Sequence, residues 1–180
     1  MDSSILAISE QPQWFAIRTR QDFRAEEILG ALCDEVFFPK ETVKTVGKKK
    51  RLRAAIPHVL FIRTSHQRAL DLEKESRLGV NTMVPFWIYR YPKDNRIQVI
   101  PDAAINLLRM LTTEGDDRCT IFNKTNFKPM DHVRVTEGIY KGYEGYVTRV
   151  KKNKHVVVRI EGVCLVLLPF IHPDLLEKLD

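Results

Sequence analysis

The sequence predicts an α+β protein in two parts, on three observations. Strand and helix patterns alternate from Gln13 to Thr113, periodicity disappears between Thr113 and Pro129, and only short strand patterns follow. A chain of 180 residues, 44% of them hydrophobic, has the composition of a packed globular protein and the length for two small domains. The expected division is a disordered N-terminus over 1–12, a mixed domain over 13–113, a linker over 114–128 and an all-β domain over 129–180.

The first strand is expected at "QWFAIRT", Gln13 to Thr19, apolar from Trp14 to Ile17 and then abruptly polar. A helix follows, with Asp22 as N-cap and Ala25, Ile28, Leu29 and Leu32 on one apolar stripe. "EVFFPKETVKTVGKKKRLRAAIPHVLFIRT" reads as a strand at Val36 to Phe38, a hairpin centred on Gly47 and a strand at Ile56 to Ile62. Thr64 and Gln67 have the capping-box spacing for a second helix, which Gly79 should end. Met83 to Tyr91 is an aromatic-rich strand broken by Pro85, with "IQVI" as its expected partner. Ala104, Leu107, Leu108 and Leu111 mark a third helix capped by Asp102. The front part therefore runs β-α-β-β-α-β-α.

"TEGDDRCTIFNKTNFKP" is polar and aperiodic, which suits a linker. Beyond it, His132 to Val135, Tyr146 to Val150, His155 to Ile160 and Val163 to Leu168 are short strands separated by Gly, Asn or Lys turns, the pattern of a small barrel or sandwich.

Charge is unevenly distributed. The formal net charge is +6, and residues 1–129 carry 21 Lys and Arg against 16 Asp and Glu, whereas residues 130–180 carry 8 against 7. The excess is densest in "GKKKRLR", Gly47 to Arg53, where five cations must face solvent or an anion. A polyanionic partner such as nucleic acid fits that distribution.

Cys33, Cys119 and Cys164 lack any spacing for zinc or a redox dithiol and read as buried or free thiols in a reducing compartment. The N-terminus lacks the basic start of a secretory signal, and no apolar run approaches the ~20 residues of a membrane helix. A cytoplasmic protein with no membrane association is expected. His58, His66, His132, His155 and His172 show no ligand spacing, and no G-x-S-x-G, H-E-x-x-H or outstanding carboxylate pair occurs. No catalytic residue, metal or cofactor is therefore expected.

"EGIYKGYEGYVTRV" concentrates three glycines and three tyrosines. A phosphate-binding glycine loop would lead into a helix, whereas strand material follows Gly145 here. With the preceding strand, the stretch resembles the KOW motif. Val133 and Val135 stand in its first strand, Gly138 and Gly145 at its glycines, Tyr140 and Tyr143 at its aromatics, and Val147 to Val150 in its second strand. Gly138 and Gly145 are expected to permit turns; Gly142 has no assigned part.

In the front half, "WFAIRTRQDFRAEEIL", a basic hairpin and "IPHVLFIRT" resemble the N-terminal domain of the NusG family, with Trp14, Phe15 and Pro57 to Ile62 at the matching places. The resemblance spans nearly the whole chain in order. It implies an antiparallel sheet flanked by helices over 13–113 and a small SH3-like KOW barrel over 129–180. It also implies a transcription elongation or antitermination factor that binds the clamp helices of RNA polymerase through an apolar depression. Phe15, Ile56, Pro57, Val59, Val84 and Phe86 are the docking candidates. For non-template DNA or nascent RNA they are Arg18, Arg20, Arg24, Lys48, Lys49, Lys50, Arg51 and Arg53.

Two departures from the family pattern imply a specialised paralogue, expected to be a monomer. Ile56, Pro57, His58 and Val59 replace an aromatic, proline, glycine and tyrosine. Glu161 stands where the family often has an exposed aromatic that contacts termination factor Rho or a small-subunit ribosomal protein, so a carboxylate there counts against both partners. The competing class is a ribosome-associated or general RNA-binding KOW protein. Some specialised relatives refold this domain into a helical hairpin; valine-rich "HVVVRI" and "VCLVLL" favour strands instead.

Overall fold

A computed structural model describes residues 10–43, 47, 50–113, 120–122, 131–150, 153–169 and 171–179. The chain forms two compact units, 1–114 and 115–180. It is a mixed α+β protein whose strand pairings are antiparallel throughout.

In the first unit, strand β1 (Gln13–Arg18) is central. Its residues Trp14 to Ile17 are all buried because both faces of the sheet are covered. One edge pairs along its full length with β5 (Val59–Thr64), which in turn pairs with β2 (Glu35–Phe37). The other edge is shared by β6 (Trp87–Ile88) and β7 (Val99–Ile100). On one face Phe15, Ile17, Leu60, Ile62 and Ile88 cluster with Ala25 and Leu29 of helix α1 (Asp22–Gly30) and Ala69 and Leu72 of α2 (His66–Arg77). On the opposite face α3 (Asp102–Thr113) places the Arg109 guanidinium over the rings of Trp14 and Phe37, and Arg109 pairs with Glu35 of β2.

Several boundaries differ from the sequence pattern for identifiable reasons. Asp22 lies one residue inside α1 rather than at its N-cap, and its carboxylate accepts the backbone N–H of His58 at 3.2 Å. α2 is capped by Ser65, whose Oγ accepts from the Arg68 N–H at 3.2 Å, because Thr64 is still paired in β5 with Gln13. Gly79 follows α2 with φ +70°, as its place after the last turn requires. The expected strand over Met83 to Tyr91 shrinks to Trp87–Ile88 after Pro85, whose carbonyl accepts from the Thr19 hydroxyl. Of "IQVI", Ile97 bridges Arg90, but Val99 and Ile100 pair with β1.

Among the described residues, strands β3 (Lys40–Val43) and β4 (Arg51–Ala54) pair only with each other, forming a hairpin separate from the main sheet. Its base is tied down by Lys40. The Lys40 ammonium meets Glu26 of α1 at 2.5 Å and lies 5.1 Å from the Phe38 ring centre and 5.6 Å from that of Phe23.

The second unit is a six-stranded ladder in which the strands run, edge to edge, Leu176–Lys178 (β13), His132–Val135 (β9), Glu144–Val150 (β10), Asn153–Ile160 (β11), Cys164–Leu167 (β12) and Thr120–Phe122 (β8). β9 (His132–Val135), β10 (Glu144–Val150), β11 (Asn153–Ile160) and β12 (Cys164–Leu167) occupy the expected segments, so "HVVVRI" and "VCLVLL" are strand. Two strands were not legible. β8 (Thr120–Phe122), within the stretch expected to be linker, pairs with β12, and β13 (Leu176–Lys178) pairs with β9. Among the described pairings β13 and β8 are the two ends of the ladder and do not meet, so closure into a barrel is not observed. Val133, Val135, Val156 and Val158 are buried, and Val157, Leu165 and Leu167 form a second apolar cluster.

Candidate docking and nucleic-acid surfaces

All six docking candidates belong to the first unit, and five of them are buried there. Phe15, Ile56, Val59, Val84 and Phe86 are buried, and Phe15, Val84 and Phe86 belong to the core beneath the helices. A side chain with almost no accessible area offers a partner little direct contact, so these residues shape the surface from below. Pro57 alone is exposed. It stands in a turn where His58 takes φ +67°, the His58 carbonyl accepts from the Thr19 N–H at 3.0 Å, and the Val59 N–H reaches back to the Ile56 carbonyl.

Large apolar side chains that do face solvent were not singled out by the sequence. Trp87 is 50% exposed, and Phe23, Leu52, Leu78 and Val80 also protrude from the first unit. Trp87 sits directly across from Arg18 in the β1–β6 pairing. An outward Trp87 was available from alternation, since Phe86 and Ile88 on either side point inward. The run's uniformly apolar character hid that signal.

Of the nucleic-acid candidates, Arg18, Arg20, Arg24, Lys50, Arg51 and Arg53 are exposed; Lys48 and Lys49 lie outside the described residues. Arg53 is engaged by Glu41 across the hairpin at 2.5 Å, which lowers the net charge of that arm. Lys50 and Arg51 remain beside it at the start of β4, with exposed Leu52 between Arg51 and Arg53.

The KOW-like residues are structural, and the glycines divide the work differently from expectation. Val135 and Tyr140 are buried and Tyr143 is half-buried. Gly138 and Gly142 are the turn residues, with φ of +83° and +88°, and the Gly142 N–H donates to the Val135 carbonyl at 2.8 Å. Gly145 lies within β10; a Cβ there would stand 2.3 Å from the Val157 carbonyl oxygen. Its absent side chain permits close strand approach rather than a turn.

On β9 and β10, His132 stacks on Tyr146 with ring centres 4.9 Å apart, and Arg159 of β11 lies 5.9 Å from the Tyr146 ring. Arg134 and Glu144 pair beside them at 2.6 Å. Burial raises the Cys33 thiol to about 11, with lesser effects from Arg68 and Asp34, and the Cys164 thiol to about 12. Neither sulfur is an activated nucleophile. Cys119 lies outside the described residues. Among the described residues no group of three His, Cys, Asp or Glu side chains could hold a metal, and no helix is long and apolar enough to cross a membrane.

The chain matches no protein-family model, and no curated protein matches it.

Proposed function

We propose that this protein is a NusG-like transcription elongation or antitermination factor, cytoplasmic and monomeric, that binds RNA polymerase through its first unit. The observation that carries this reading is the make-up of that unit, an antiparallel sheet covered by helices with a basic hairpin set apart from it. The resemblance implies that combination for residues 13–113. The all-antiparallel second unit, with turn glycines at Gly138 and Gly142, supports a small KOW barrel behind it.

The contact surface is redrawn by exposure. Trp87, with Arg18 across from it and Pro57 in its solvent-facing turn, replaces the buried candidates as the direct contact. An amphipathic partner helix would bury the indole while the arginine orients it, the division of labour found in helix-in-groove recognition. Arg18, Arg20, Arg24 and the hairpin cations then follow the displaced DNA strand by phosphate contacts. Bridging the polymerase in this way stabilises its processive state by differential affinity and requires no bond chemistry.

The test is co-purification of RNA polymerase with the full chain and with Trp87→Glu. The substitution alters an exposed side chain, so folding stability should change by no more than ~0.5 kcal/mol. Recovery of polymerase should be lost; unchanged recovery with a correctly folded variant removes this docking surface.

The His132–Tyr146 stack with Arg159 favours one second reading, an RNA-binding or ribosome-associated KOW protein, because bases stack on such aromatic and guanidinium planes. Gel shifts on structured RNA against a reconstituted elongation complex separate the two. Preference for free RNA with no effect on pausing would select the second reading.

A further inference from the structure

The first unit contains a cleft of about 400 Å³, lined by no residue of the basic hairpin, between the start of α2 and the turn joining Tyr91 to Arg96. The volume lies within the ~300–1,000 Å³ range of small-molecule clefts. Its floor is apolar, with buried Ile97 and half-buried Val99. Tyr91 and His66 flank it, and the His66 imidazole packs edge-to-face with the Phe15 ring, ring centres 6.2 Å apart. Lys93 and Arg96 stand exposed at its mouth.

The turn is well braced. The Tyr91 N–H donates to the Arg96 carbonyl and the Asn95 N–H to the Tyr91 carbonyl, both at 2.9 Å. Asp94 is occupied internally, accepting from the Arg96 backbone at 3.2 Å and from its Nε at 2.6 Å. Asp94 thus orients the guanidinium while leaving its terminal nitrogens available. Among the described residues the Tyr91 hydroxyl, the His66 ring nitrogens and the Lys93 ammonium have no hydrogen-bond or ion-pair partner. Three uncommitted polar groups therefore line one apolar-floored cleft.

We propose that this cleft binds a phosphorylated nucleoside, with the base against Tyr91 and the apolar floor and the phosphate between Lys93 and Arg96. The assignment follows from chemistry. A flat aromatic face and an aliphatic floor suit a planar base, which stacks without needing sequence-specific hydrogen bonds. A guanidinium with free terminal nitrogens beside an ammonium suits a phosphate, and the imidazole and phenol can donate to ribose or phosphate oxygens. A simple anion would use the cations alone and leave the floor empty. The nucleotide is either free or one unit of a nucleic-acid strand, and the site does not depend on the polymerase-docking reading.

The experiment is a titration of the ¹⁵N-labelled full chain, followed by amide chemical shifts, with adenosine monophosphate, inorganic phosphate and a single-stranded deoxyadenylate decamer. The monophosphate should shift the amides of Tyr91, Lys93, Arg96 and Ile97 saturably, and phosphate alone should bind at least about tenfold more weakly. Tyr91→Leu, which keeps the backbone bonds of the turn, should weaken the monophosphate about tenfold and leave phosphate unchanged. The Lys93→Ala, Arg96→Ala double variant should weaken both. A decamer binding more than about tenfold tighter than the monophosphate identifies a strand, and equal affinities identify the free nucleotide; both outcomes support the site. Absence of saturable shifts at those amides up to about 10 mM, or equal responses to phosphate and monophosphate, overturns it.

Discussion

Glu73 carries a charge into the first unit, and its surroundings account for why it is tolerated. Its side chain is 4% exposed, with Oε1 accepting from the Ile88 N–H at 2.8 Å and Oε2 from Arg90 at 2.8 Å. Burial works against the carboxylate, but the hydrogen bonds from Arg90 and Ile88 outweigh it and hold the carboxyl below its ordinary 4.5. A depressed carboxyl stabilises the fold above that ordinary value and loses the contribution as pH falls through the lower folded one. Glu73→Gln should cost about 2 kcal/mol in urea unfolding near neutral pH, below the ~3–5 of a fully enclosed pair because Arg90 keeps some solvent. The variant should also lack the corresponding loss of stability below pH 4.5, which acid titration of both proteins checks. Gly145 makes a second residue-scale case. Gly145→Ala places a methyl against the Val157 carbonyl and should destabilise the second unit by ~1–3 kcal/mol. Hydrogen exchange of the β10 and β11 amides reads that loss without interference from the first unit.

At the scale of elements, the basic hairpin depends on what anchors it. β3 and β4 share no ladder with the main sheet, so Lys40, gripped by Glu26 and lying against Phe23 and Phe38, and the bond from the Ala55 N–H to the Pro39 carbonyl hold its base. Lys40→Ala should therefore reduce affinity for single-stranded DNA several-fold by loosening the presentation of Lys50 and Arg51. Global stability should fall by only ~1 kcal/mol, since the ion pair and ring contacts are partly solvated. Equal DNA affinity in fluorescence anisotropy would show that the hairpin's orientation is immaterial. The helices were legible because apolar stripes mark α1 and α3, and a polar cap and Gly79 bound α2. β8 and β13 were not, since three residues contain no period and exist as strands only through their partners, and β6 was legible only as part of a longer expected strand.

For the whole molecule, the charge imbalance gives a quantitative expectation. If Arg18, Arg20, Arg24, Lys50 and Arg51 each meet a phosphate, the logarithm of single-strand affinity should fall with the logarithm of salt with a slope of about −3.5. A slope near zero in an anisotropy series would remove these residues from the nucleic-acid surface. The prediction belongs to the first unit, where the basic excess lies; residues 130–180 are nearly balanced.

The sequence by itself determined the α+β class, the order of the three helices, the four longer strands of the second unit and a basic hairpin centred on Gly47, because each rests on local periodicity or turn chemistry; that the hairpin pairs apart from the main sheet came from the structure. Tertiary structure decided which apolar residues face out. Phe15, Val59 and Trp87 are equally apolar in a linear reading, but helices cover the first, the second is buried in the sheet, and the short edge strand β6 leaves the third in water beside Arg18. It also decided the part played by Gly145, whose need for glycine comes from the Val157 carbonyl on a neighbouring strand and has no trace in the residues beside it. Burial and close approach are properties of partners distant in the chain, and no local pattern encodes them.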